Sequence, residues 1–244
     1  MSAVKPDTAM VLAAGLGKRM RPLTDITPKP LIEVAGRSLL DRGLDQLAAA
    51  GVTRAVINVH WLGEQIIAYA PGRKDIALTI SDEREELLDS AGGIVKALPL
   101  LGHEPFFILN ADTFWIDHAH SALQSLREAW DDQRMDMMML LADPEKATGH
   151  SGGLDFIRHD DGRLERAGKA ATGFIYAGAA ILHPRILAGA PEGAHSLNLY
   201  FDRMIGAGRL FGAVLDGHWI TVGTPEAIAP AEAAVRAHSR TGEG

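Results

Sequence analysis

Residues 12–31 read LAAGLGKRMRPLTDITPKPL; they hold Gly15 and Gly17, with four cations, Lys18, Arg19, Arg21 and Lys29, against one acid, Asp25. Glycine amides beside such side chains suit an anion, because backbone N–H groups approach phosphate oxygens closely while the cations neutralise them. Three phosphate-binding schemes compete. A P-loop requires G-x-x-x-x-G-K-[ST], yet Lys18 is followed by Arg19, which offers no hydroxyl to magnesium, and Leu12 stands where the first glycine is needed. A dinucleotide fingerprint requires a third glycine where Met20 stands, and Pro22 prevents the loop from running straight into a helix. The third scheme is a long loop after a strand: Leu12, Ala13 and Ala14 lead into it, the amides of Gly15 to Gly17 cradle a triphosphate, and Lys18, Arg19 and Lys29 supply charge.

The second group with chemical potential closes an apolar run, FFILNAD at 106–112. Asp112 at the end of a central strand is placed to hold Mg²⁺, a hard ion that takes one or two carboxylates together with phosphate oxygens. Asn110, beside it, is either a ligand-facing hydrogen-bonding group or an ordinary turn-forming asparagine. Other constellations read blandly. His118 and His120 are two apart, the wrong spacing for one helical face, and lack a third ligand. MDMMML at 135–140 reads as a core strand, and Trp61 and Trp219 as packing residues.

The elements needed to position these residues alternate. Strand-length apolar runs at 9–14, 54–59, 76–81 and 106–112 are separated by helical patterns at 38–50, 62–70 and 90–101. Parallel strands need such crossover connections, so the order predicts an α/β protein with helices on both faces of a mostly parallel sheet, and ligands outside the carboxyl ends of the strands. Past residue 150 the runs shorten. GLDFIRHDDGRLERA, with a turn at Asp161-Gly162, and TGFIYAGAAIL read as an antiparallel elaboration, followed by a helix at 197–205, short strands at 211–222 and a last helix from Pro225. With no linker-like segment, residues 1–244 are expected to form one domain: a main part at 8–144, a smaller elaboration at 145–215 and a C-terminal helix at 224–239.

Composition bounds the partners. Hydrophobic residues make up 47% and charged residues 23%, ordinary globular usage. The net charge of −7 argues against nucleic acid or an anionic membrane as partner and makes the basic loop a local feature. There is no cysteine, hence no thiolate chemistry, and no run of 18 apolar residues, so a cytoplasmic monomer or small homo-oligomer is expected.

LAAGLGKRMRPLT followed by TPKPL resembles the G-x-G-x-R…P-K-P signature of sugar-phosphate nucleotidyltransferases, and the resemblance continues through DSAGGIVKALPLL, LNAD, AGAAILHPRIL and GHWITVGTPEAI. It implies a three-layer, Rossmann-like fold of the nucleotide-diphospho-sugar transferase type with a small antiparallel sugar-binding lobe. The implied reaction joins a nucleoside triphosphate to a sugar 1-phosphate, with Mg²⁺ as cofactor and pyrophosphate as leaving group. Arg19, Lys29 and Asp112 are the implied catalytic residues, with Asp112 on the metal. EELLDSAGGI resembles the family's base-recognition run, which adds Ser90 and Gly92 to the nucleotide site and places Glu86 near base or sugar. GHSGGLDF lies where relatives bind the acceptor, implicating Gly153 and Asp155, with Asn198 added from the following helix.

Two departures from the family pattern matter. Relatives carry an aspartate in W-x-D-x-G-T, whereas this chain reads WITVGT, with Thr221 at the position of the second metal ligand. Asp112 and phosphates alone, or a supplement from Asp216, His218 or Asn198, are the open alternatives; a nucleotide-binding regulatory module without turnover is a third. An E-K-P motif is also missing, since Glu145-Lys146 is followed by Ala147. That leans away from glucose-1-phosphate thymidylyltransferases and towards the short members that join UTP to N-acetylmuramate 1-phosphate in peptidoglycan recycling. Mannose-1-phosphate guanylyl transfer is the alternative.

Overall fold

A computed structural model describes residues 5–239. Strand β1 (Thr8–Leu12) leads into a loop with three 3₁₀ turns, Lys18–Met20, Leu23–Asp25 and Lys29–Leu31, then the ribbon of β2 (Glu33–Val34) and β3 (Arg37–Ser38) and helix α1 (Leu39–Ala49). Ser38 caps α1 by accepting the Asp41 N–H, and Gly51, at φ 81°, ends its path. There follow β4 (Arg54–Val59), α2 (Gly63–Tyr69), β5 (Ala77–Asp82), α3 (Asp89–Leu101), β6 (Phe106–Asn110), β7 (Thr113–Asp117), α4 (Ala122–Ala129) and β8 (Met137–Ala142). The remainder comprises β9 (Ala147–Thr148), β10 (Phe156–Arg158), β11 (Leu164–Arg166), β12 (Ile175–Leu182), α5 (Asn198–Gly206), β13 (Leu210–Val214), β14 (Gly217–Thr221) and α6 (Ile228–Ser239).

The main sheet has the order β13-β8-β12-β6-β1-β4-β5. All its neighbours pair in parallel except β12, which runs against both β6 and β8. Its central strands are buried on both faces, which is why they read as continuous apolar runs rather than alternating ones. In β1, Ala9 and Val11 face one core with Leu40 and Leu44 of α1, while Met10 faces the other with Ile94 of α3 and Tyr200 of α5. All six residues of β8 are buried, so the methionine run is the core strand expected.

A second sheet, β7-β14-β9, stands beside the first, and a third core formed by Met20, Val34, Phe114, Ile220, Val222 and Ala231 packs α6 and the basic loop against it. Two placements differ from the sequence reading. TGFIYAGAAIL becomes β12 inside the main sheet, and the 211–222 region divides, β13 joining the main sheet and β14 the second one. Of the strands described between 145 and 215, only β10 and β11 form a separate antiparallel hairpin. No helix among the described residues is long and apolar enough to cross a membrane.

Candidate functional site

β1 and β6 pair side by side, with Leu12 opposite Asn110, so their carboxyl ends deliver two loops to one place. The Ala111 N–H donates to the Leu12 carbonyl at 3.1 Å, continuing the pairing one residue past the strands. Between these loops lies a cleft of about 450 Å³, lined by Leu12, Ala13, Ala14, Gly15, Lys29, Ser90, Asn110 and Asp112 of the expected residues. Asn58, Leu87 and Asp89 also line it and were not anticipated. Asn58 is a polar residue inside the apolar run RAVINV, which is a readable signal; its Oδ1 accepts the Ala13 N–H at 2.8 Å.

Lys29 sits between Pro28 and Pro30 on a 3₁₀ turn, and its ammonium donates to Asp112 Oδ2 at 2.8 Å. The lysine side chain is 12% exposed and the aspartate 41%, so the pair faces the cleft from a mostly buried cation. The glycine-rich arm is held from behind. Gly17 has φ 59°, and a Cβ there would come within 2.8 Å of Thr24 Cγ2; the Thr24 hydroxyl donates to the Gly17 carbonyl, and the Trp61 indole to the Thr24 carbonyl. Gly17, Lys18 and Arg19 do not line the cleft; Lys18 and Arg19 are exposed. Arg19 lies against Gly223, where an added Cβ would be 3.7 Å from its guanidinium. Gly92 is also outside: a Cβ there would strike the Gly193 carbonyl at 2.5 Å, so this glycine serves close packing of α3 on a loop.

The segment of Thr221, the residue expected at the second ligand position, runs beside that of Asp112. Thr221 pairs with Thr113 across β14 and β7, and the Val222 N–H approaches the Asp112 carbonyl at 3.4 Å. The proposed supplements are elsewhere. His218 is three residues back along the strand, roughly 10 Å at strand rise, with Nε2 against the Thr148 hydroxyl. Asp216 contacts His118, and the Asn198 side-chain Oδ1 accepts from Arg166. Among the described residues no group of three or more His, Asp or Glu side chains could cage a metal ion. The donors therefore fit a magnesium ion held by Asp112 jointly with phosphate oxygens, and not an all-protein cage.

A second cavity, about 280 Å³, shares Leu12, Ser90 and Asn110 with the cleft and continues to Asp155, Asn198, Arg166 and Tyr176. The Ser90 hydroxyl oxygen accepts the Leu197 N–H at 2.9 Å, and Asp155 Oδ2 accepts the Tyr176 N–H at 2.9 Å. Asn110 faces Gly178 of β12, at φ 82° beside a register break with β8; a Cβ there would press on Asn110 and on the Thr113 hydroxyl. Burial pushes the Tyr176 phenol up, and its hydroxyl has no hydrogen-bond partner among the described residues. Glu86 and Gly153 line neither cavity. Arg166, Tyr176 and the rings of Phe156 and Phe201 were missed; nothing in the charged stretch RLER marks Arg166 as ligand-facing.

A basic glycine loop and an acid at adjoining strand ends, opening on a two-part cavity, define a nucleotidyltransferase-type site. The chain belongs to the MobA-like NTP transferase domain family, whose model matches residues 9–197. It is 44% identical over 234 residues to an N-acetylmuramate alpha-1-phosphate uridylyltransferase from Caulobacter vibrioides, covering 93% of this chain and 96% of that protein. A protein of the same name from Neisseria meningitidis is 35% identical, covering 88% and 93%. A mannose-1-phosphate guanyltransferase from Hypocrea jecorina is more distant, at 29% identity, with the match spanning 61% of its length. In fold, the chain is similar to a UDP-glucose pyrophosphorylase solved with UDP-glucose, with TM-score 0.78 and 16% identity, over 96% of this chain and 99% of that one.

Proposed function

We propose that this nucleotidyltransferase joins UTP to N-acetylmuramate 1-phosphate, giving UDP-N-acetylmuramate and pyrophosphate in the cytoplasm. The observation that carries the reading is the continuity of the two cavities through Leu12, Ser90 and Asn110, with Lys29 and Asp112 on the larger one. It is supported by the 44% identity over nearly the whole of a uridylyltransferase.

In the reaction, a phosphate oxygen of the sugar 1-phosphate attacks the α-phosphorus of UTP; the new P–O bond forms as the bond to the pyrophosphate oxygen breaks. That attacking oxygen is already ionised at neutral pH, so no general base is required. The difficulty is bringing two anions together and meeting the charge that develops at phosphorus. Backbone N–H groups near Gly15 receive phosphate oxygens, and Lys29, freed from Asp112 when the substrates arrive, supplies a point charge. Arg19, exposed above Gly223, closes on the phosphates as a guanidinium fork. Asp112 would hold Mg²⁺, which supplies charge neutralisation and alignment of the triphosphate when bound.

The test is a product screen pairing UTP, dTTP, GTP, CTP and ATP with N-acetylmuramate, N-acetylglucosamine, glucose and mannose 1-phosphates. Preferred turnover of UTP with N-acetylmuramate 1-phosphate is expected. Preference for GTP and mannose 1-phosphate, or nucleotide binding without any product, would overturn the reading, the latter in favour of a regulatory module.

A further inference from the structure

We infer that Arg166 is the specificity-determining residue for the acceptor sugar, and that it selects sugars carrying a carboxylate substituent. The inference rests on the proposed function and adds a named recognition element to it. N-acetylmuramate differs from N-acetylglucosamine by one lactyl ether, which ends in a carboxylate. An enzyme that prefers the former needs a cation in its sugar cavity. Among the described residues lining the second cavity, Arg166 is the one cation, and Asp155 is the one acid.

The guanidinium is pre-set for a carboxylate. Its carbon lies 5.1 Å from the centre of the Phe156 ring and 5.5 Å from that of Phe201, so two aromatic faces fix its plane. Nε donates to Asp202 Oδ1 at 2.8 Å and one Nη donates to the Asn198 side-chain Oδ1 at 3.1 Å. The Asp202 side chain is 65% exposed, and such a surface pair is worth little. A carboxylate from the sugar therefore exchanges with Asp202, or adds to the remaining N–H groups, at small cost. The charge-assisted, two-pronged contact it gains is stronger than the one it replaces. Asp155 lines the same cavity and already accepts the Tyr176 N–H at 2.9 Å through Oδ2.

The experiment measures kcat/KM with UTP for N-acetylmuramate 1-phosphate and for N-acetylglucosamine 1-phosphate, in the full chain and in Arg166→Met, Arg166→Lys and Asp202→Asn. Arg166→Met is expected to lower the ratio of the two by about 10- to 100-fold, through KM for the carboxylate-bearing sugar. Arg166→Lys keeps the charge without the fork and falls between. Asp202→Asn removes the competing carboxylate and raises the ratio, which serves as the test should Arg166→Met fail to fold. An equal fall for both sugars in Arg166→Met, or an unchanged ratio in Asp202→Asn, overturns the assignment. If the wild-type chain prefers N-acetylglucosamine 1-phosphate or uses neither sugar, the proposed function fails; if it prefers N-acetylmuramate 1-phosphate and the ratio survives Arg166→Met, only the Arg166 assignment fails.

Discussion

The Asn58 amide donates to Glu83 Oε1 at 2.8 Å, in the interior, between two adjacent parallel strand ends. This bond is the middle of a chain of three. Asn58 Oδ1 takes the Ala13 N–H from the phosphate loop, and Glu83 Oε2 takes the Leu88 N–H, at 3.2 Å, just before α3. One buried amide and one buried carboxylate thus tie the two sides of the cleft together. Burial pushes the Glu83 carboxyl up, while its bonds from Asn58 and Leu88 oppose that rise.

Donor and acceptor order in this chain gives a stringent prediction. Glu83→Gln leaves either the Leu88 N–H or the Asn58 amide facing another N–H, and Asn58→Asp sets a carboxylate against Glu83. Each single change should cost about 1–3 kcal/mol, the usual penalty for an unpaired buried polar group. Combining them restores complementarity: the introduced glutamine donates its amide to the introduced aspartate and accepts from the Leu88 N–H, while that aspartate still accepts from Ala13. Urea unfolding should show the double variant recovering most of the loss, and KM for UTP should recover with it. Additive losses would mean that the chain is not coupled.

Lys29 and Asp112 invite the opposite expectation, a large effect on rate and a small one on stability. Their pair opens onto the cleft through an aspartate that is 41% exposed, so breaking it should change the unfolding free energy by no more than ~1 kcal/mol. On the proposed role of Lys29, meeting charge that develops at phosphorus, its removal should cost roughly 10²–10³ in kcat. Lys29→Ala is therefore expected to unfold at nearly the wild-type urea concentration while losing most turnover; steady-state kinetics alongside denaturation separates the two.

The parts of this site that were legible in the sequence are those whose conformation is fixed locally. Gly17 must be glycine because of its positive φ and its contact with Thr24, and Pro28 and Pro30 set the turn that presents Lys29. Asp112 follows a continuous apolar run whose end is easily placed. What could not be read depends on distant partners. Asn58 stands out in its strand, yet its partner Glu83 is 25 residues on. Strand β12 has the same apolar character whichever way it runs, so its antiparallel place inside the main sheet leaves no mark on composition or period. In the second cavity Asp155 and Asn198 were anticipated, but Arg166 and Tyr176 come from separate elements and carry no local motif.

Thr221 predicts a gain. Because its segment runs beside Asp112, with the Val222 N–H on the Asp112 carbonyl, Thr221→Asp should create a second carboxylate for the metal. Threonine and aspartate are similar in volume, and the strand path is kept as long as Gly149, where a Cβ would come within 2.1 Å of the Thr221 carbonyl, stays glycine. Mn²⁺ binding in the presence of UTP, followed by paramagnetic resonance, should tighten by ~10-fold, since ligand charge count sets affinity in oxygen sites. Unchanged binding would show that position 221 does not reach the ion.

The C-terminal helix supplies the pH-dependent prediction. His238 of α6 stacks on His118 at 6.0 Å between ring centres and lies 4.8 Å from His218, which is set into β14 against Thr148. Burial, and then the charges that His238 and His118 carry when protonated, hold His218 below its ordinary value of 6.5. Asp216 brings an acid to the cluster, 3.4 Å from His118 and itself 61% exposed. A group whose folded pKa is depressed is protonated more readily in the unfolded chain, so its contribution to stability is complete above pH 6.5 and is lost as pH falls below it. Thermal unfolding between about pH 7.5 and 5 should therefore show a falling midpoint that His218→Gln makes shallower. Glutamine keeps a polar group opposite the Thr148 hydroxyl without taking up a proton, so a slope identical to wild type would place the pH dependence outside this cluster.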